Sequence, residues 1–519
     1  MPAHDLQSFV AELERRGWLK RISAPVDPRL EICEITDRVT KSGGPALLFE
    51  NVVGSRFPLL INAFGTRERM CLALGAASFE EIAERVRHVL RPEVPTTLVQ
   101  KLKKLPELAQ LASLAPRIVK GGVCQEVVHT GDADLFSLPV MKCWPLDGHP
   151  ELCGGSPAQV ASAGVSSVNA GSAASAASPA PSADVGRYIT LGAVFTKNPD
   201  TGERNIGMYR VQLFEPKLAA MHWHPHHDGA RHFRRYQQRG RRMPVAIALG
   251  GPAVLPYAAT CPLPPGVDEC LLAGFLQGRG IDLVPCVSQP EIEAPASAEI
   301  VIEGYIDPGE DLVLEGPFGD HTGFYSLPDF FPRLHVTALT HRREPIYPST
   351  IVGRPPQEDY WFGKATERIF LPVLQAIVPD LIDYNLPMFG CFHNCVFVRI
   401  KKEYPYQARR VMNAIWGAGQ MAFSKIIVVV DEHVDVQNEQ EVLFQLCSNV
   451  DPRRDILFTD GPLDILDHAA PYCGVGSKMG IDATRKLPGE GQVRQWPPEI
   501  EMSREIKDLV SRRWREYGL

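Results

Sequence analysis

Between Arg187 and Tyr305 the apolar residues fall in short runs punctuated by Gly and Pro: Arg187–Thr196, Ile206–Leu213, Val245–Leu249, Ile281–Val284 and Glu299–Tyr305. One short helix is expected among them, near Glu269–Leu276. Many short strands separated by turn residues predict a barrel-like central domain. The flanks have a different period. Asp5 reads as an N-cap before a helical stripe of Leu6, Phe9, Val10 and Leu13, followed by strands at Trp18–Ile22 and Ala46–Phe49 and an apolar run at Pro58–Phe64. Glu80–Leu90 is an amphipathic helix. Beyond about residue 340 helices and strands alternate again: Phe362–Val378 with a break expected at Pro372, Val396–Lys401, Tyr406–Trp416, Lys425–Val430 and Glu439–Cys447. A charged amphipathic helix at Glu499–Tyr517 is expected to pack on a neighbouring domain or subunit. The fold class is therefore α/β (α+β), with domains at 1–130, 131–340 and 341–519. That division agrees with the roughly 150 residues usual for one domain in a chain of 519.

Residues 154–184 contain 18 Ala or Ser among 31 and show no apolar face. Such a segment buries too little to offset its ordering entropy, and a disordered loop insertion is expected. The net charge of −7 gives no overall support for nucleic-acid binding. Twelve scattered Cys without a CxxC pair read as reduced thiols. The N-terminal stretch lacks a signal-peptide core, and no apolar run of about 18 residues occurs. The expectation is a cytoplasmic protein that at most touches a membrane.

Two stretches carry the chemistry. Asn205-Ile206-Gly207-Met208-Tyr209-Arg210 reads as a strand on which Asn205, Gly207 and Tyr209 share one face and Ile206, Met208 and Arg210 the other. A cation among apolar neighbours suits an anion taken out of water. Glu315 and Asp320 lie five apart on the Gly/Pro-rich loop EGPFGDHTG, where backbone is brought close to something. One cation and two carboxylates suggest acid–base chemistry on an anionic substrate. The plainer alternatives are an ion pair for Arg210 and turn capping for the two acids. The cluster His222-Trp223-His224-Pro225-His226-His227-Asp228 lacks zinc-site spacing. A single His with Asn205 and a carboxylate is the better metal set, and N and O ligands with an amide favour Mn²⁺ or Mg²⁺. Glu269, taken alone, is a first-turn acid suited to a helix dipole. Cys391, His393 and Cys395 read as incidental neighbours, and Gly474–Gly480 has the wrong spacing for a dinucleotide loop.

Six motifs in order, GGPALLFENV, FPLLINAFGT, FTKNPDTGERNIGMYR, EGPFGDHTG, IVGRPPQED and GSKMGIDAT, resemble those of the UbiD-type decarboxylases, over the whole chain except the Ala/Ser insertion. The resemblance implies an N-terminal α/β domain, a central split β-barrel that binds flavin, and a C-terminal α/β domain through which homodimers or homohexamers form. It implies prenylated FMN delivered by a flavin prenyltransferase, Mn²⁺ on its phosphate and often K⁺. It further implies reversible, non-oxidative decarboxylation of aromatic or α,β-unsaturated acids. Carried over by motif, Asn205 and Glu269 resemble metal ligands, with His227 at a position that holds a ligating His in some relatives. Met208, Tyr209, Arg210, His222, Trp223, His224, His227 and Asp228 would line the cofactor. Arg210 resembles the catalytic Arg, Glu315 its partner and Asp320 the proton donor. Asp at that last position resembles the quinone-pathway branch, which points to a hydroxylated aromatic acid. As a donor near neutral pH, Asp320 needs an appreciable neutral population, which burial or a neighbouring negative charge would favour. An ordinary FMN oxidoreductase on the same kind of barrel, or a non-catalytic subunit, are the competing possibilities.

Overall fold

Asp5 accepts the Ser8 backbone N–H at 2.8 Å and closes a capping box, so Leu6–Arg15 follows as a helix that buries Leu6, Phe9, Val10 and Leu13. The computed structural model describes residues 4–90, 113–149, 185–224, 227–264 and 266–519; the Ala/Ser segment 154–184 lies outside the described residues. The N-terminal helices stand against a four-stranded sheet of Leu19–Ile22, Ala46–Phe49, Leu59–Ile61 and Tyr347–Pro348. The last of these returns from far along the chain to pair in parallel with Leu59–Ile61.

The central sheet has nine strands. They are β1 (Val127–His129), β2 (Tyr188–Ile189), β3 (Ala193–Lys197), β4 (Arg204–Met208), β5 (Val211–Glu215), β6 (Leu218–Met221), β7 (Met243–Gly250), β8 (Ala298–Ile306) and β9 (Arg333–His341). The path runs β2-β5-β6-β9-β8-β7-β3-β4, with β1 on β9. β4 ends this path and β5 lies one strand from its other end, yet only Tyr209 and Arg210 separate them in sequence. Three residue steps reach about 10 Å, so the sheet curls until its two ends meet at that link. Both faces are covered. Along β7, Ala246 and Ala248 enter one core with Phe195 and Ile206, while Val245, Ile247 and Leu249 enter another with Val211 and Ile302. Two helices flank the link, α1 (Asp228–Arg239) and α2 (Glu269–Gln277).

After the central sheet comes α3 (Asp359–Ile377). Then a mixed five-stranded sheet forms from Leu381–Asn385, Cys395–Ile400, Ile426–Val430, Val475–Asp482 and Ile456–Pro462, in that spatial order. No helix among the described residues is long and apolar enough to cross a membrane.

Four expectations need correction. Ile206–Leu213 is not one strand: pairing stops at Met208 and resumes at Val211 because β4 and β5 bond to different neighbours. Arg187–Thr196 likewise divides into β2 and β3. Pro372 does not break α3, where burial of Phe362, Ala365, Ile369, Pro372 and Leu374 holds the helix through the missing hydrogen bond. The terminal helix is shorter, Arg504–Arg513, and buries no residue against this chain. The strand β9, which joins β6 to β8 at the middle of the sheet, was not anticipated.

Candidate active site

Arg210 sits in the two-residue link between β4 and β5, so the closure of the sheet determines where its cation stands. Gly207 makes the link possible, since a Cβ there would overlap the ring of Tyr209, which folds back over it. The Arg210 guanidinium donates Nε–H to Glu315 Oε1 at 2.8 Å and Nη2–H to Glu315 Oε2 at 3.0 Å, a two-pronged grip. Its Nη1 reaches Asp320 Oδ2 at 2.6 Å, and Nη2 also donates to Ser326 Oγ at 3.0 Å. The ring of Phe318 lies 4.9 Å below the guanidinium carbon.

Glu315 was expected in a loop; it ends a short strand, Val313–Glu315, that pairs antiparallel with Asp329–Phe331. The segment after it is held residue by residue. The N–H of Gly316 donates to Gln212 Oε1 at 2.8 Å, and the Pro317 carbonyl accepts Tyr188 Oη–H at 3.1 Å. Phe318 N–H donates to Ser326 Oγ at 3.2 Å and Gly319 N–H to Asp147 Oδ1 at 2.8 Å. Gly319 admits no side chain, because a Cβ would run into the indole of Trp144. Asp320 therefore emerges from a backbone fixed on every side.

Burial alone would raise the Glu315 carboxyl, but Arg210 and His222 outweigh it and hold it down at about 2. Burial and the Arg210 charge together keep His222 below its usual range, hence neutral. It bonds Glu315 Oε2 through Nδ1 at 2.9 Å and His224 Nε2 through Nε2 at 2.7 Å. The His224 ring stacks on His227 at 4.7 Å, and His227 tilts against Tyr209 at 5.2 Å. Trp223 meets Tyr209 edge-on, and its indole N–H is buried without a hydrogen-bond partner among the described residues.

The three expected metal ligands gather around Tyr209. Asn205 is buried and donates to Thr196 Oγ1 at 3.3 Å, and its side chain also bonds the Tyr209 hydroxyl. Glu269, the first residue of α2, accepts the Ile206 N–H at 2.9 Å. Burial pushes its carboxyl up to about 7, and the negative charges of Asp268 and Asp228 add to that. His227 stands at the N-cap position of α1 without a side-chain capping bond, its ring against Tyr209. No cluster of three or more His, Cys, Asp or Glu residues with metal-binding geometry occurs among the described residues.

These groups open into a cleft of about 400 Å³, bordered by Met208, Tyr209, Arg210, His222, His224 and His227. Asp320, His321 and Phe318 form its floor. The opposite wall comes from the C-terminal sheet: Gln420, Phe423 and Asp464–Leu466. Sequence reasoning missed that wall, as well as Gln212, Asp147 and His321. Of these, His321 alone carried a signal, as the residue after Asp320 in EGPFGDHTG. A donor role near neutral pH needs a neutral population of Asp320, and its carboxyl is instead held below its ordinary range. Burial favours the neutral acid, but the His321 hydrogen bond and the charge of Arg210 outweigh it and keep the carboxylate ionised.

Three family models match in chain order. They are the N-terminal domain of 3-octaprenyl-4-hydroxybenzoate carboxy-lyase (UbiD) at residues 10–108, its Rift-related domain at 180–355 and its C-terminal domain at 360–483. An uncharacterized protein of Aquifex aeolicus is 47% identical over 517 residues, 99% of each chain. Vanillic acid decarboxylase of Sedimentibacter hydroxybenzoicus, in its closed form, shares the fold with a TM-score of 0.78 at 24% identity and 99% coverage of both chains. The UbiD-class enzyme HmfF of Pelotomaculum thermopropionicum, solved with FMN, has a TM-score of 0.72 at 28% identity, covering 95% of this chain and 98% of its own. An evolved dimeric form of HmfF, solved with prFMN, gives 0.72 at 26% identity over 96% and 97% of the two chains.

Proposed function

Since the chain belongs to the UbiD family of carboxy-lyases, we propose that it decarboxylates a hydroxylated aromatic acid, reversibly and without net oxidation, using prenylated FMN. The observation that carries this is the buried Arg210–Glu315–Asp320 set, of which Arg210 and Asp320 line a cleft of about 400 Å³, within the roughly 300–1,000 Å³ usual for small-molecule sites.

The donor set suits the cofactor. Met208, Tyr209, His222, His224 and His227 border the cleft, and together with Trp223 and Asp228 they would hold a flavin. Asn205, Glu269 and His227 would hold a divalent cation such as Mn²⁺ on its phosphate, which would offset the negative charge gathered at Glu269. K⁺ belongs to the same reading. When bound, the flavin supplies the electron sink that no side chain here provides.

The remaining work falls to the protein's own groups. Arg210 takes the substrate carboxylate as its anion, and Glu315 keeps the guanidinium aimed from behind. Burial of the Arg210 and Glu315 side chains strengthens their pairing. Asp320 hands a proton to the ring carbon once CO₂ has left. Gln420, Phe423 and Asp464–Leu466 close the site from the opposite side.

The test is a panel of aromatic acids, assayed for CO₂ release by protein co-produced with a flavin prenyltransferase. A hydroxylated aromatic acid is expected to turn over, and Asp320→Asn to keep its bound flavin while losing turnover. Full activity in that variant removes Asp320 from the mechanism; plain FMN with hydride transfer removes the decarboxylase assignment.

A further inference from the structure

The protonated donor that the reaction needs is not present at rest. Asp320 faces two positive groups: Arg210 Nη1 on Oδ2, and His321 on Oδ1 through its backbone N–H at 2.8 Å and its Nδ1 at 3.1 Å. Burial would lower the His321 imidazole, but Asp320, with Asp464 and Asp359 beyond it, outweighs burial and raises it to about 9. Of the side chains bonded to Asp320, His321 is thus the one that holds a dissociable proton.

We propose that His321 is the proton reserve of this site: its Nδ1–H reloads the Asp320 carboxylate, which then delivers that proton to substrate. This rests on the reading of Asp320 as the donor. Arrival of the substrate carboxylate drives the transfer. A second anion on Arg210 divides that cation's attraction for Asp320, which bonds the guanidinium directly, whereas His321 touches only the other oxygen, so the shift towards the protonated form is larger at Asp320 than at the imidazole. In the forward step the ring-carbon–carboxylate bond breaks and CO₂ departs. The electron pair left on carbon becomes the new C–H bond with the proton from Asp320. His321, having passed its own proton to Asp320, regains one from water, so the balance is one acid anion and one proton giving one arene and one CO₂.

The geometry also supplies a return route. His321 borders a second, small cavity of about 10 Å³ that it shares with Asp359, Tyr360, Lys364 and Phe392, about the room of a single water. Asp359 opens α3, and burial pushes it up to about 7 against the opposing charge of His321. The groups around the imidazole are therefore Asp320, Asp464 and Asp359, with Arg210 behind Asp320, Lys364 in the same cavity and the Phe392 ring edge-on at 5.2 Å.

Two measurements test it. In ¹⁵N-histidine NMR of the full chain, His321 is expected to stay protonated through neutral pH and to titrate near 9, with the midpoint dropping at least about one unit in Asp320→Asn. In the flavin-loaded protein, His321→Gln is expected to lower kcat at least tenfold with KM within twofold, and to abolish the wild type's alkaline fall in kcat. A neutral His321 at pH 7, or a His321→Gln variant with wild-type kcat and the same alkaline fall, overturns the proposal. Turnover retained in Asp320→Asn instead overturns the reading of Asp320 as donor. An inactive Asp320→Asn beside a fully active His321→Gln sinks only the reserve. Should His321→Gln fail to fold, the NMR titration decides alone.

Discussion

Glu315 is fully enclosed and receives Arg210 in two prongs and His222 on the same carboxylate. Removing one partner of such a pair strands the other's charge, at a typical cost of about 3–5 kcal/mol. Glu315→Ala is expected to lose about that much in a denaturant titration, together with at least a hundredfold in kcat. Glu315→Gln should recover part of the stability but little of the rate, since the amide cannot match the guanidinium's charge. Asp320 and His321 give the folded state a pH signature. Asp320 is held below its ordinary 3.8, so its contribution is full above that value and lost as pH falls. His321 is raised from 6.5 to about 9, so its contribution is full below 6.5 and lost as pH climbs through 9. The difference in thermal midpoint between wild type and Asp320→Asn is therefore expected to be greatest between about pH 4 and 6.5 and to shrink on both sides. At the other end of the site, Asn205→Ala or Glu269→Ala should lose bound metal and flavin together, as read by metal analysis and the visible spectrum.

At the scale of elements, the segment from Glu315 to Asp320 is shaped by parts of the chain distant in sequence. Asp147, Trp144, Gln212 and Tyr188 all bear on it. Gly319→Ala forces a methyl group into Trp144 and is expected to cut kcat at least tenfold. Adding Trp144→Ala should return part of that loss, and the interaction energy of the double-mutant cycle checks it. The same element shows what was legible beforehand. The Asp5 cap, the β7 run and the α2 start all followed from local pattern, because capping and periodicity are local. Arg210, Glu315 and Asp320 were picked out by charge in unusual company and by motif. The strand break at Tyr209–Arg210 was not legible, because it depends on which neighbours β4 and β5 find, a property of the curled sheet as a whole. Gln212 looks like any strand glutamine until Gly316 is placed beside it, and the ionised state of Asp320 depended on a histidine whose direction no pattern encodes.

Across the whole molecule, the cleft is a joint product. Its floor comes from the segment after the short strand Val313–Glu315 and its far wall from loops of the C-terminal sheet. The terminal helix Arg504–Arg513 carries Ile506 and Leu509 toward solvent, as does the turn after it Trp514, and nothing on either is buried. Deleting residues 502–519 is expected to change chain stability by no more than about 0.5 kcal/mol but to reduce the assembled mass in light scattering, as an arm gripping another copy would require. An unchanged mass would assign the helix some other role.

The strap Tyr209–Arg210 ties the two ends of the curled sheet together with the guanidinium as its buckle. A circular permutant cut between those two residues, its original termini joined by a flexible linker, would keep all nine strand sequences and every side chain of the cleft. It is expected to be a poor catalyst, because the two-residue link between β4 and β5 is what holds Arg210 against Glu315 and Asp320. For the same reason an insertion at this link is expected to displace the cation from both carboxylates.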